Sequence, residues 1–179
     1  MGSGTLSSTN AITNTGTIEF NGTTVNASIN DTSTKTGTVK FNSGTYNYPS
    51  DGTYVLGADE VTLGKSSATP ATLTASSSKF AFNRVAVQSG GTFNYTVDSD
   101  VTAGKDLSGM SSSHGAGMYI SAGTASVTVN SGKTLTFKDG KSASYGGGIY
   151  ITSSSKLTLG GGTIKFENNQ ATGSGSGGG

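Results

Sequence analysis

GAGMYI (115–120) and GGGIYI (146–151) stand 31 residues apart, and GGG returns at the same interval at Gly177, Gly178 and Gly179. The segments between them align. Ile120, Val127, Val129, Leu135 and Phe137 match Ile151, Leu157, Leu159, Ile164 and Phe166. The connections differ by a residue or two, and the differences cancel. A motif that returns in phase while its loops vary is the mark of a solenoid, in which each repeat contacts only its neighbours.

The matched positions alternate apolar–polar–apolar, as in Val127-Thr-Val129, Leu135-Thr-Phe137 and Ile164-Lys-Phe166. That is the two-residue period of a β-strand with one inward face. The unit recurs upstream in Ile18-Glu-Phe20, Val39-Lys-Phe41, Tyr46-Asn-Tyr48, Val61-Thr-Leu63, Phe80-Ala-Phe82, Val85-Ala-Val87 and Phe93-Asn-Tyr95. No stretch carries a helical period over three turns. TGTIEFNG from Thr15 returns as TGTVKFNS from Thr36, a spacing near twenty that suits one coil of three short strands. The longer unit at the glycine motifs then reads as a coil enlarged by a loop. GGTFNYTV from Gly90 is matched to GGTIKFEN from Gly161, and 98–114 is read as the largest loop.

These patterns predict an all-β chain, a right-handed parallel β-helix of short strands. Seven or eight coils about 4.8 Å apart make a rod on the order of 35 Å long. One rod accounts for 1–179 as a single domain, with 1–12 a flexible start and 173–179 the Gly/Ser-rich end of a coil cut off inside a longer array. A β-sandwich shares the short strands but predicts no in-phase repeat. A disordered tract shares the composition: Gly, Ser and Thr supply 85 of 179 residues, and Leu, Ile, Val and Phe 32. Its high charge is missing, because the net charge is +1.

The chain has no cysteine, one histidine (His114) and one arginine (Arg84). Thiolate metal sites and disulfides are excluded, and ten lysines against ten acidic residues leave no basic face for nucleic acid. No apolar run approaches a membrane span. Asp98, Asp100 and Asp106 are the one carboxylate cluster with hard-cation chemistry, but they match neither an EF-hand loop nor a glycine-rich calcium repeat; they read as a solvated acidic loop. Glycoside hydrolysis needs two carboxylates about 5–9.5 Å apart. Asp59 and Glu60 are adjacent and tend to opposite faces of a strand, while Asp98 and Asp100 share a face. His114 reads as a surface turn residue.

FKDGKSASYGGGIY (137–150) and FENNQATGSGSGGG (166–179) share an F-x-x-N/G motif, an alanine and a glycine triplet. The segment 115–179 resembles the paired FxxN and GGA(I/L/V) repeats of the chlamydial polymorphic outer membrane proteins, with Gly140 where that family has Asn. The resemblance implies an autotransporter passenger: a secreted, cell-surface adhesin on an outer-membrane-anchored parent, with a role in virulence. It also implies a host or cell-surface receptor, no catalysis and no cofactor. The motif residues are Phe137, Gly140, Gly146, Gly147, Gly148, Ile149, Phe166, Asn169 and Gly177–Gly179. Physically, Phe137 and Phe166 would stack as buried aromatics of successive coils, Asn would hold a turn, and the glycines would permit positive φ and close approach. Two other functions stay open: a self-associating solenoid with a free strand edge at the Gly177 motif, and a polysaccharide-processing β-helix enzyme.

Overall fold

In a computed structural model, residues 4–7, 16–26, 37–47, 56–64 and 71–173 are described. Fifteen strands and no helix occur among them: β1 (Gly4–Ser7), β2 (Thr17–Asn26), β3 (Thr38–Asn47), β4 (Leu56–Leu63), β5 (Ala71–Ser76), β6 (Phe80–Gln88), β7 (Thr92–Val97), β8 (Val101–Ala103), β9 (Asp106–Leu107), β10 (Met118–Ser121), β11 (Thr124–Lys138), β12 (Lys141–Ser142), β13 (Ile149–Ile151), β14 (Lys156–Glu167) and β15 (Gln170–Ala171). Within 1–12, Gly4–Ser7 pairs in parallel with Thr23–Asn26.

The interval between the two TGT motifs is one coil step. Ile18 lies on Val39 and Phe20 on Phe41. The same face continues through Val61, Val85, Met118 and Ile149. A second face stacks β1, the second half of β2, the second half of β3, β5, β7, and the first halves of β11 and β14. A third joins Leu56–Ala58 to Phe80–Phe82, and β8 to the second halves of β11 and β14. The short strands β9, β12 and β15 make a fourth. Every ladder between described strands is parallel, so an antiparallel sandwich is excluded. The sheets curl into a solenoid-like stack with one continuous core.

The core follows from the alternation. Phe20 stacks on Phe41 at 5.2 Å and 14°, and Phe80, Phe82, Phe93 and Tyr95 pack edge-on between two faces. Tyr95 faces inward with Phe93 and Val97, and its hydroxyl is satisfied there by donating to the Phe80 carbonyl at 2.7 Å. Burial pushes that phenol well above the ordinary tyrosine range, and Asp98 nearby adds to it.

Four expectations are corrected. Val127 pairs with Leu159 rather than Leu157, and Leu157 pairs with Ala125; the register then shifts by three residues between Val129 and Thr134, before Leu135 meets Ile164 and Phe137 meets Phe166. The Gly90 segment does not correspond to the Gly161 segment: β7 belongs to the second face, whereas Thr163–Glu167 lies on the third. The stretch 98–114 is not one loop, because it contains β8 and β9 within the coil. Phe166 is not buried; it stacks on Phe137 at 5.3 Å but remains 47% exposed. The reason is its place: no described strand lies beyond β14 to cover its other side.

Candidate functional site

The glycine motif sits where the coil is enlarged. In the earlier coils the third and first faces run into one another, through Asp59-Glu60 in β4 and Asn83-Arg84 in β6. In the later coils β9 or β12 and a three-residue glycine motif, Gly115-Ala116-Gly117 or Gly146–Gly148, are inserted at that corner. Gly115 and Gly146 open the triplet at φ 56° and 62°, a left-handed conformation that suits glycine. Gly117 and Met118 both donate to the Gly148 carbonyl, at 2.8 and 2.9 Å, tying one triplet to the next. Gly147 lies against the backbone of Gln170, Gly117 against the Phe137 ring, and Gly148 against Phe166 and Asn169. Ile149 pairs with Met118.

Asn169 binds the coil below. Its Oδ1 accepts from Gly140 N at 3.0 Å, and its Nδ2 donates to the Phe137 carbonyl at 2.8 Å. A side chain on Gly140 would run into the Gly147 carbonyl and crowd Asn169. Asp139 and Asn168, the preceding residues of the two copies, share φ near 55° and 53°. The motif residues thus form one backbone-level joint between coils. Gly177, Gly178 and Gly179 lie outside the described residues, as does Tyr48.

The three loop aspartates do not converge. Asp98 Oδ1 accepts from Ser77 Oγ at 2.8 Å and from Ser78 N at 2.7 Å, while Oδ2 accepts from Ser78 Oγ at 2.8 Å. Asp100 accepts from Thr134 N at 2.8 Å. Asp106 accepts from Ser108 N and Oγ and pairs with Lys141 at 2.9 Å. Each ties a different pair of neighbouring coils, and among the described residues no group of three or more carboxylates or histidines comes together to hold a metal.

These bonds make stability depend on acid. Burial alone would raise the Asp98 carboxyl, but the hydrogen bonds from Ser78 and Ser77 outweigh it and hold it below the ordinary value. The Ser108 and Lys141 contacts pull Asp106 down to about 2. A folded-state value below the unfolded one stabilises fully above about pH 3.9 and is lost as pH falls through the folded value. Denaturant midpoints are therefore expected to stay level from neutral pH to about 5 and then drop. Asp98→Asn should lower the neutral midpoint and flatten the drop; an unchanged acid limb in this variant would refute the assignment.

Arg84 organises the corner. It is only 8% exposed. It pairs with Glu60, donates from Nε to the Gly115 carbonyl at 3.0 Å and from Nη2 to the His114 carbonyl at 3.0 Å. Its guanidinium lies 5.9 Å from the Tyr119 ring centre. Lys105 reaches Asp59 at 2.6 Å and Glu60 at 3.4 Å. Asp59 and Glu60 are thus not on opposite faces. The chain bends between Ala58 and Val61, both inward, so the two carboxylates turn outward together.

His114 is not a surface turn residue either. Its ring stacks on Tyr145 at 5.4 Å and 20°, and packs beside Tyr119 and Tyr150 at 5.7 and 5.0 Å. Its Nδ1 is enclosed without a hydrogen-bond partner. Tyr119 and Tyr150 stack in turn at 6.0 Å and 16°. Between this aromatic cluster and Glu60, Arg84 and Gln88 opens a cleft of about 160 Å³, rimmed by Met110 and Ser112. Sequence reasoning found His114 and Arg84 singly and missed their meeting. The available signal was the coil step from Glu60 to Arg84, which brings opposite charges together.

Comparisons with protein-family models, curated protein sequences and solved structures give no match to this chain.

Proposed function

We propose that this chain is part of a bacterial surface passenger, a right-handed parallel β-helix that adheres to host or neighbouring cells without catalysis. The parallel, coil-on-coil register of the glycine-motif repeat carries this reading. Such a joint can be repeated without changing what lies on either side, so a rod of any length can hold a binding face away from its anchor. The right hand is the one that parallel β crossovers take in about 98% of cases. The resemblance of 115–179 to chlamydial polymorphic outer membrane proteins supports an extracellular location on an outer-membrane-anchored parent. Binding rather than turnover is supported by the cleft, whose lining includes a single carboxylate, Glu60, already paired with Arg84 and Lys105.

Fluorescently labelled protein is expected to bind cultured epithelial cells saturably and to be displaced by unlabelled protein. Absence of saturable binding would reject the adhesin reading. Accumulation of reducing ends or unsaturated products from neutral or acidic polysaccharides, with or without calcium, would replace it with an enzyme.

Self-association is the second reading. Ile151 and Phe166 lie on the last described coil and are 41% and 47% exposed. Sedimentation is then expected to show end-to-end association that rises with concentration and weakens in Ile164→Lys.

A further inference from the structure

One outward position repeats through five coils as Lys40, Thr62, Ala86, Tyr119 and Tyr150. It turns aromatic at Tyr119, and from there the rings run along the stack to Tyr150 and the half-exposed Tyr145. The cleft lies where this aromatic patch begins. One wall is the pair Tyr119 and His114; Leu107 and Met110 add apolar surface, and Glu60, Gln88 and Ser112 supply polar groups at the edges.

We propose that the cleft binds one pyranose ring of a neutral oligosaccharide, with the next units following the aromatic patch toward Tyr150 and Tyr145. This rests on the reading that the array binds what it touches rather than turning it over. Size, polarity, charge and spacing lead to the same ligand. The cleft, at about 160 Å³, is well below the roughly 300–1,000 Å³ that encloses drug-sized ligands, so it takes one ring of a chain. A pyranose has an apolar C–H face and a hydroxyl rim, which fits one aromatic wall with polar edges. A peptide tyrosine or phenylalanine could rest on Leu107 and Met110 but would leave Glu60, Gln88 and Ser112 without hydrogen-bond partners from its ring. Glu60 is neutralised by Arg84 and Lys105, so the site presents no free charge for an ionic ligand. Gln88 makes no side-chain hydrogen bond to the described residues and is open to bond a hydroxyl. The rise between coils, about 4.8 Å, is close to the length of one unit in an extended sugar chain.

The test is an NMR titration of the isotopically labelled protein with cellohexaose, with maltohexaose and N-acetyltyrosinamide in parallel arms. Either oligosaccharide is expected to shift the amides of 84–88 and 112–119 and to show Overhauser contacts from sugar C–H protons to the Tyr119 ring. Tyr119→Ala should weaken binding about three- to tenfold, the worth of one ring contact. Gln88→Ala, at a partly exposed position, should weaken it with the fold intact. The proposal is overturned if neither sugar shifts these amides, if both variants bind as the parent does, or if N-acetyltyrosinamide occupies the cleft in preference. Saturable cell binding that persists without any sugar shift would remove the sugar and keep the adhesin. Sugar binding without cell binding would do the reverse.

Discussion

Phe137→Ala is expected to lower the stability of the chain by about 3–5 kcal/mol, the range for emptying a fully buried aromatic site. The ring is wholly enclosed, stacked on Phe166 at an angle of 18° and pressed against Gly117. The coils are tied to one another by backbone hydrogen bonds on both sides, so they cannot collapse into the space left. Phe166→Ala is the internal comparison. Its ring makes the same stacking contact but is half in solvent, so about 1 kcal/mol is expected. Denaturant midpoints of the two variants should differ clearly. Equal losses would mean that the two rings do not lie on successive coils in the register described.

Gly147→Ala is expected to cost about 1–3 kcal/mol, at the upper end of that range or beyond. A Cβ there would overlap the backbone of Gln170 in the next coil, and backbone has no rotamer by which to withdraw. The loss should be accompanied by faster amide exchange in β12 and β15, which the overlap would push apart. Gly160→Ala makes the same chemical change on β14, where a Cβ would meet nothing within 4 Å. It is expected to be neutral, or to stabilise by about 0.4–1 kcal/mol through the reduced freedom of the unfolded chain. If the two glycines respond alike, the triplet is a flexible connection and not a joint between coils.

The alternation of apolar residues made nearly all of the core legible. Phe20, Val39, Phe41, Val61, Phe80, Phe82, Phe93, Val127 and Phe137 are inward by pattern and buried in the fold. The same rule fails at Leu157, Leu159, Ile164 and Phe166. They have the correct period, but a stripe is covered only when a further coil lies on it. The candidate site was less legible. Glu60, Arg84 and the pair His114 and Tyr119 lie in three successive coils and have no common motif. Asp59 and Glu60 escape the strand alternation because they stand at a corner, and a corner turns two consecutive side chains outward.

By itself, the sequence determined that the chain is built of short strands, that it repeats on a short coil step and then on a longer one, and that glycines recur where the longer coil begins. Periodicity carries these, since a strand with one buried face must alternate and a stacked coil must return in phase. Only the tertiary structure decided which strand lies on which. Ile120 meets Ile151, Ala125 meets Leu157, Phe137 meets Phe166 and Lys141 meets Gln170, so the step along the chain is longest on the second face and shortest on the third and fourth. No single period aligns all faces of one coil. Each face keeps its own hydrogen-bonded register, and the corners absorb the difference. At one such corner, the excursion needed to insert β9 and the Gly115-Ala116-Gly117 motif carried Lys105 and His114 over Asp59, Glu60 and Arg84. That juxtaposition made the cleft. It depends on loop closure between coils, which leaves no periodic trace in the chain.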